Sequence, residues 1–226
     1  MTERSVGTEN SAKLDLNRAA ARFTRLYLDS LRAADAAVAF RVASGALEEG
    51  MTVPQLYQRV IAPAMYRVGE LWEMGALTVA DEHLATALTH RVLAALRPRL
   101  GAGAERPLPG AARERVMLAA VQGERHALGL RMAADVLEDA GFHTIYLGAD
   151  VPTDALLQAI SSLSPDLLGL GVTMRDLAPR LQEVAGAVRE AYPQLGLLVG
   201  GQAAPPLDGG TLIEDLEVLA KGLSQV

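Results

Sequence analysis

Residues 116–121, Val116-Met117-Leu118-Ala119-Ala120-Val121, form an unbroken apolar run, and the next eight are Gln122-Gly123-Glu124-Arg125-His126-Ala127-Leu128-Gly129. A short continuous apolar run bounded by a polar, glycine-bearing loop reads as a strand buried on both faces. Helical periodicity follows over Ala127–Ala140. Outward from there, apolar runs recur at Thr144–Leu147, Leu167–Val172 and Leu195–Val199, with a weak fifth strand near Glu217–Leu219. Helical patterns at Thr153–Leu163 and Asp176–Ala191 separate them. This alternation predicts an α/β domain with a five-stranded parallel sheet of the flavodoxin or Rossmann-like, doubly wound kind. Ligands of such sheets bind beyond the carboxyl ends of the strands.

Upstream the pattern changes. Leu56, Val60, Ala64, Val68 and Leu71 recur at helical spacing behind a capping-box pair, Thr52 and Gln55, and Gly75 suits the stop. Thr78 then caps a helix with the stripe Leu84, Leu88, Val92 and Ala95 or Leu96. Leu14–Leu31 and Ala33–Leu47 are also helix-like, so residues 12–97 predict a four-helix bundle cap. Prolines and glycines crowd residues 98–114, which read as a linker, leaving 115–226 for the sheet domain.

The 226 residues contain no cysteine, which excludes disulfides, thiolate metal sites, catalytic thiols and thioether-linked cofactors. Three Phe, five Tyr and one Trp are too few for aromatic stacking platforms on single-stranded nucleic acid. Lys and Arg number 21 against 27 Asp and Glu, a net charge of −6 that argues against nucleic-acid binding. Residues 98–226 carry that whole excess, with 10 basic and 16 acidic side chains. The N-terminus has no apolar core of the signal-peptide kind, and no apolar run approaches the ~20 residues of a membrane span. The expectation is a cytoplasmic protein without a membrane partner.

Three loops at the carboxyl edge of the sheet hold the chemistry. After the first strand, His126 would face the crevice, with Glu124 able to accept its second ring N–H and so fix the tautomer. Gly129 would let the helix backbone approach a ligand. After the third strand comes Gly171-Val172-Thr173-Met174, and after the fourth Gly200-Gly201-Gln202-Ala203. Two adjacent glycines allow close backbone contact with a bulky group.

Glu124-x-His126-x-x-Gly129 resembles the Asp-x-His-x-x-Gly signature of cobalamin-binding domains, with Thr173 and Gly200-Gly201 where that family keeps Ser/Thr and Gly-Gly. The resemblance runs on through Tyr146-Leu147-Gly148-Ala149-Asp150 and, with the helical cap, covers essentially the whole chain. It implies that His126 is the lower axial cobalt ligand in place of the cofactor's own dimethylbenzimidazole. The displaced nucleotide tail would then pass Thr173 and the glycines. Arg125, Met174 and Gln202 complete the implied contacts. Glu124 departs from the family's Asp by one methylene.

In the cap, Trp72 and Glu82-His83 are spaced Trp-x9-Glu-His. This is similar to the upper-face signature of adenosylcobalamin photoreceptors related to light-dependent MerR-type repressors. There the three side chains pack over the 5′-deoxyadenosyl group until light breaks the cobalt–carbon bond and assembly changes. Val79 would give the apolar floor. Where some of these repressors have a His directly after the Trp, this chain has Glu73, so His83, His90 or water would take the upper position after photolysis. The expectation is that no helix-turn-helix domain accompanies the bundle in this chain, whereas one does in those repressors. The resemblance also takes in photocobilins, which hold a biliverdin beside the cobalamin; without cysteine such a bilin would be non-covalent, and no residue pattern marks its site.

The function so implied is a light sensor rather than an enzyme, switching its homo-oligomeric state or its contact with a separate effector protein. The alternative is a corrinoid protein carrying methyl groups for a methyltransferase system, for which a Trp lid over the upper face is less suited.

Overall fold

The computed structural model describes residues 3–100 and 114–222. Except for residues 98–100 and 114, the expected linker lies outside the described residues. The chain divides into two compact units between Pro98 and Arg99.

The first unit is helical. It comprises α1 (Glu3–Arg32), α2 (Ala36–Glu48), α3 (Val53–Leu56), a π-helical stretch (Tyr57–Ile61), α4 (Ala62–Glu73) and α5 (Val79–Leu96). From α3 to α4 the backbone stays helical through the π turn, so the stretch counts as one of four antiparallel-capable rods. α1 begins at Glu3, well ahead of the expected Leu14. α2 begins at Ala36 rather than Ala33, because Asp35 caps it by accepting from the Val38 N–H. The expected capping box forms at Thr52 with Gln55, and Thr78, expected as a cap, forms a second box with Asp81.

Leu56, Val60, Ala64 and Val68 are fully buried, as their spacing predicts. In α5 the buried line runs through Ala85, Leu88, Thr89, Val92, Leu93 and Leu96, and the expected Leu84 is instead 42% exposed. A strict four-residue stride drifts away from a helix of 3.6 residues per turn, so the fourth residue back leaves the core face. Tyr27 and Thr89 are both buried, and the Tyr27 hydroxyl donates to Thr89 Oγ1 at 3.3 Å, tying α1 to α5.

The second unit contains β1 (Arg115–Val121), α6 (Leu128–Asp139), β2 (His143–Val151), α7 (Thr153–Leu163), β3 (Leu167–Gly171), α8 (Ala178–Ala191), β4 (Gly196–Gly200), β5 (Gly210–Ile213) and α9 (Leu216–Gly222). The five strands form one parallel sheet in the order β2-β1-β3-β4-β5. This is the flavodoxin-like winding, which reverses between β1 and β3. Met117, Ala119 and Val121 point to the face covered by Leu156 and Ile160 of α7 and Leu181, Val184 and Val188 of α8. Val116, Leu118 and Ala120 are equally buried on the opposite face. Two-sided burial explains why β1 reads as an uninterrupted apolar run.

The fifth strand is not where it was expected. Residues 217–219 lie in α9, whose first turn is capped by Asp215: its carboxylate accepts from the Glu217 N–H at 2.6 Å and its carbonyl from the Leu219 N–H. The strand is Gly210–Ile213, a four-residue edge too short and too glycine-rich to stand out from turn sequence. β2 extends four residues beyond the expected Leu147. No helix among the described residues is long and apolar enough to cross a membrane.

Candidate functional site

The site is built on the β1/β3 reversal, where chains leaving neighbouring strands diverge and open a crevice. β1 ends at Val121, and a tight turn closes when the Glu124 N–H donates to the Val121 carbonyl at 2.9 Å. That turn folds the Glu124 side chain inward until it is 0% exposed. A buried carboxylate needs donors, and Glu124 has four. Its Oε1 accepts from the His126 backbone N–H at 2.8 Å and from His126 Nδ1 at 2.7 Å. Its Oε2 accepts from the backbone N–H groups of Thr173 at 2.7 Å and Met174 at 2.9 Å, in the loop after β3. Burial pushes the Glu124 pKa up, but the donors from His126, Met174 and Thr173 outweigh it and hold the carboxyl below its ordinary value.

With a carboxylate on Nδ1, the ring proton sits there and the lone pair is on Nε2. The His126 side chain is 58% exposed, so that lone pair is presented outward from a ring held by a buried anion. Gly129 lies in the first turn of α6, with no heavy atom within 4 Å of where a Cβ would stand. Gly201 has φ of +109°, and a Cβ there would fall 2.1 Å from the Val172 carbonyl oxygen. Glycine alone lets the loop after β4 lie flat against the end of β3, where the Val172 N–H donates to the Gly200 carbonyl.

Of the expected residues, the structure therefore joins Glu124, His126, Thr173 and Met174 directly, and sets Gly200 and Gly201 against Val172. Arg125 and Gln202 are exposed in the adjoining loops, and Met174 is 44% exposed. The link from Glu124 to the β3 loop was not legible in the sequence. Neither was the Tyr146 hydroxyl, which donates to the Ala127 carbonyl at 3.3 Å beside the start of α6.

In the helical unit, Trp72 stands in the last turn of α4, and Val79, Glu82 and His83 lie at i, i+3 and i+4 on α5. The intervening turn is held by the N–H groups of Ala76 and Leu77 donating to the Leu71 carbonyl. Trp72 is 45% and Val79 53% exposed. Glu82 accepts from His83 Nδ1 at 2.5 Å through Oε2 and from the Thr86 hydroxyl at 2.9 Å through Oε1.

These features suit a protein that contributes one imidazole to a metal. Among the described residues no three His, Cys, Asp or Glu side chains gather as a metal-holding set. The matches to known proteins define the same class. Two family models, each described as a B12 binding domain, match residues 24–97 and 114–214. The chain belongs to the B12-binding-domain family and is a cobalamin-binding protein.

Among its relatives is the HTH-type transcriptional repressor CarH of Myxococcus xanthus, 34% identical over 149 residues, or 66% of this chain. The match spans 47% of that repressor, about half its length. Trimethylamine corrinoid protein 1 of Methanosarcina acetivorans is 23% identical over 175 residues, covering 76% of this chain and 80% of the relative. The monomethylamine corrinoid protein of Methanosarcina barkeri has the same fold, with a TM-score of 0.72 at 16% identity over 88% of this chain and 95% of that one.

Proposed function

We propose that this chain is an adenosylcobalamin-dependent light sensor, a binding and switching protein rather than an enzyme. The observation that carries the reading is the group at the α4–α5 turn. Trp72 and Val79 leave apolar surface uncovered, next in sequence to a Glu82–His83 pair already joined by a hydrogen bond. An apolar lid flanked by a carboxylate and an imidazole suits an adenosyl group, whose ring can stack on the indole while its polar edge meets the charged pair. The higher identity to the repressor than to the trimethylamine corrinoid protein, 34% against 23%, supports the same reading.

In this account His126 binds the cobalt through Nε2, and Glu124 keeps the ring in the required tautomer and orientation. Thr173, Met174, Gly200, Gly201 and Gln202 line the path of the nucleotide tail, with Arg125 and Gly129 beside the corrin. Trp72, Val79, Glu82 and His83 cover the adenosyl group. When bound, adenosylcobalamin would supply a light-labile cobalt–carbon bond, and uncovering Trp72, Val79, Glu82 and His83 would change self-association or contact with an effector. A non-covalent biliverdin as second chromophore is part of the proposal, tested by adding it and looking for a shifted red band.

The corrinoid methyl carrier is the second reading, favoured by a match that takes in 80% of the trimethylamine corrinoid protein. The deciding experiment loads the protein with adenosylcobalamin in the dark and records its spectrum and size-exclusion profile before and after green light. A changed spectrum with a shifted elution volume is expected. Unchanged elution together with an unchanged spectrum would sink the sensor reading, and faster demethylation of the methylcobalamin-loaded protein by a methyl acceptor and its transferase would favour the carrier.

A further inference from the structure

The end of β2 departs from a regular parallel ladder. Leu118 pairs with Tyr146, Ala119 with Gly148 and Val121 with Val151, so β2 gains one extra residue at each of two steps. Both steps carry a left-handed residue. The first is Gly148 (φ +85°), where that conformation is unstrained; the second is Asp150 (φ +52°), where it is not. Bulges re-aim side chains, and left-handed non-glycine residues persist only where surrounding contacts hold them.

The contacts holding Asp150 are known. Its Oδ1 accepts from the Gly123 N–H at 2.6 Å, and its own N–H donates to the Glu124 carbonyl at 2.8 Å. One residue of β2 thus grips the β1 loop on both sides of the Gly123–Glu124 peptide, two residues before His126. Gly123 is itself left-handed (φ +90°), so this turn has little intrinsic preference for the one conformation that buries Glu124.

We propose that Asp150 is a positioning residue for His126: it locks the Gly123–Glu124 turn and thereby sets the depth and direction of the Glu124 carboxylate that holds the imidazole. Asp150 needs no contact with the cofactor to do this. It acts through the backbone, and Glu124 passes the constraint on to His126 at one oxygen and to Thr173 and Met174 at the other. The loops after β1, β2 and β3 are then one unit, and a disturbance at Asp150 reaches cobalt coordination from the strand that carries no expected ligand contact. This inference rests on His126 being the cobalt ligand.

Three substitutions, all of which keep the backbone N–H that meets the Glu124 carbonyl, separate the carboxylate from the left-handed conformation. Asp150→Asn keeps an Oδ1 acceptor and tolerates that conformation; Asp150→Gly loses the acceptor and keeps the conformation; Asp150→Ala loses the acceptor and strains the conformation. Two readouts are taken: amide hydrogen exchange at Gly123 in the cobalamin-free protein, and dark adenosylcobalamin binding with its histidine-coordinated absorption spectrum. Asp150→Gly is expected to speed Gly123 exchange at least tenfold and to weaken binding about tenfold, the order seen when a partner behind a metal-ligating His is lost. Asp150→Ala should do more, and Asp150→Asn should stay within about threefold of wild type in both. Wild-type binding and spectrum in a folded Asp150→Gly protein would overturn the proposal, whether or not Gly123 exchange rises. His126→Ala is run alongside. If it retains the wild-type spectrum, the ligand assignment itself fails, and that failure is recognisable because Gly123 exchange in Asp150→Gly would still rise.

Discussion

The His126 ring and the Glu124 carboxylate are joined at 2.7 Å, yet they stand on opposite sides of the protein surface: Glu124 is fully buried and His126 is more than half exposed. A buried anion with four donors is immobile, and it confers that immobility on a side chain that would otherwise sample several rotamers. The outward nitrogen is thereby placed before any cofactor arrives.

Removing the ring tests this arrangement most directly. His126→Ala should abolish the histidine-coordinated spectrum and weaken adenosylcobalamin binding by tenfold or more. Absorption spectroscopy with an equilibrium titration reads both, and full retention of the spectrum would refute the assignment.

Glu124 makes stability depend on acid. Its folded pKa lies below the ordinary 4.5, so the contribution is fully present above 4.5 and is lost as pH falls through the lower folded value. Glu124→Gln should cost about 1–3 kcal/mol at neutral pH, because an amide puts donors against backbone donors. The gap between the two proteins in urea denaturation should hold from pH 7 to about 5 and shrink below it. A gap independent of pH would contradict the charged form as the hydrogen-bonded one.

Two glycines should respond in opposite directions. Gly201→Ala forces a methyl group to 2.1 Å from the Val172 oxygen in a left-handed conformation, and should lower stability by more than 2 kcal/mol or displace the β4 loop. Gly186 is exposed inside α8 with open space around it, so Gly186→Ala should raise stability by about 0.5–1 kcal/mol. Thermal unfolding of both variants gives the comparison.

Trp72→Ala should leave the cobalamin-free protein within about 1 kcal/mol of wild type, since nearly half of the side chain is already exposed. The loaded protein should differ: its dark-state assembly or the rate of its response to light should change. An effect on the cobalamin-free stability alone would assign Trp72 to the helical core.

In the helical unit, Tyr27 is buried against Thr89, and desolvation pushes its pKa up to about 12. Its hydroxyl therefore stays protonated up to about pH 11. Tyr27→Phe should cost about 1 kcal/mol by leaving the Thr89 hydroxyl one partner short, measured by denaturant unfolding at pH 7.

The sequence alone determined the class of fold and the edge of the sheet at which its candidate site lies. Two-sided burial writes a strand as a continuous apolar run, and capping chemistry writes helix starts at Thr52 and Thr78, so both are visible locally. That the loops carrying His126, Thr173 and the Gly200–Gly201 pair would meet at one edge was legible because a parallel sheet delivers successive loops there. The short β5 was not, since a four-residue edge strand lacks a pattern longer than noise, and Leu84 was misplaced because helical drift is decided by what packs opposite. Only the tertiary structure showed that Glu124 reaches two loops and that Asp150 grips the turn before His126. Those bonds span 49–50 and 27 residues, and hydrogen bonds across such distances depend on where folding brings the backbone, which no local pattern records.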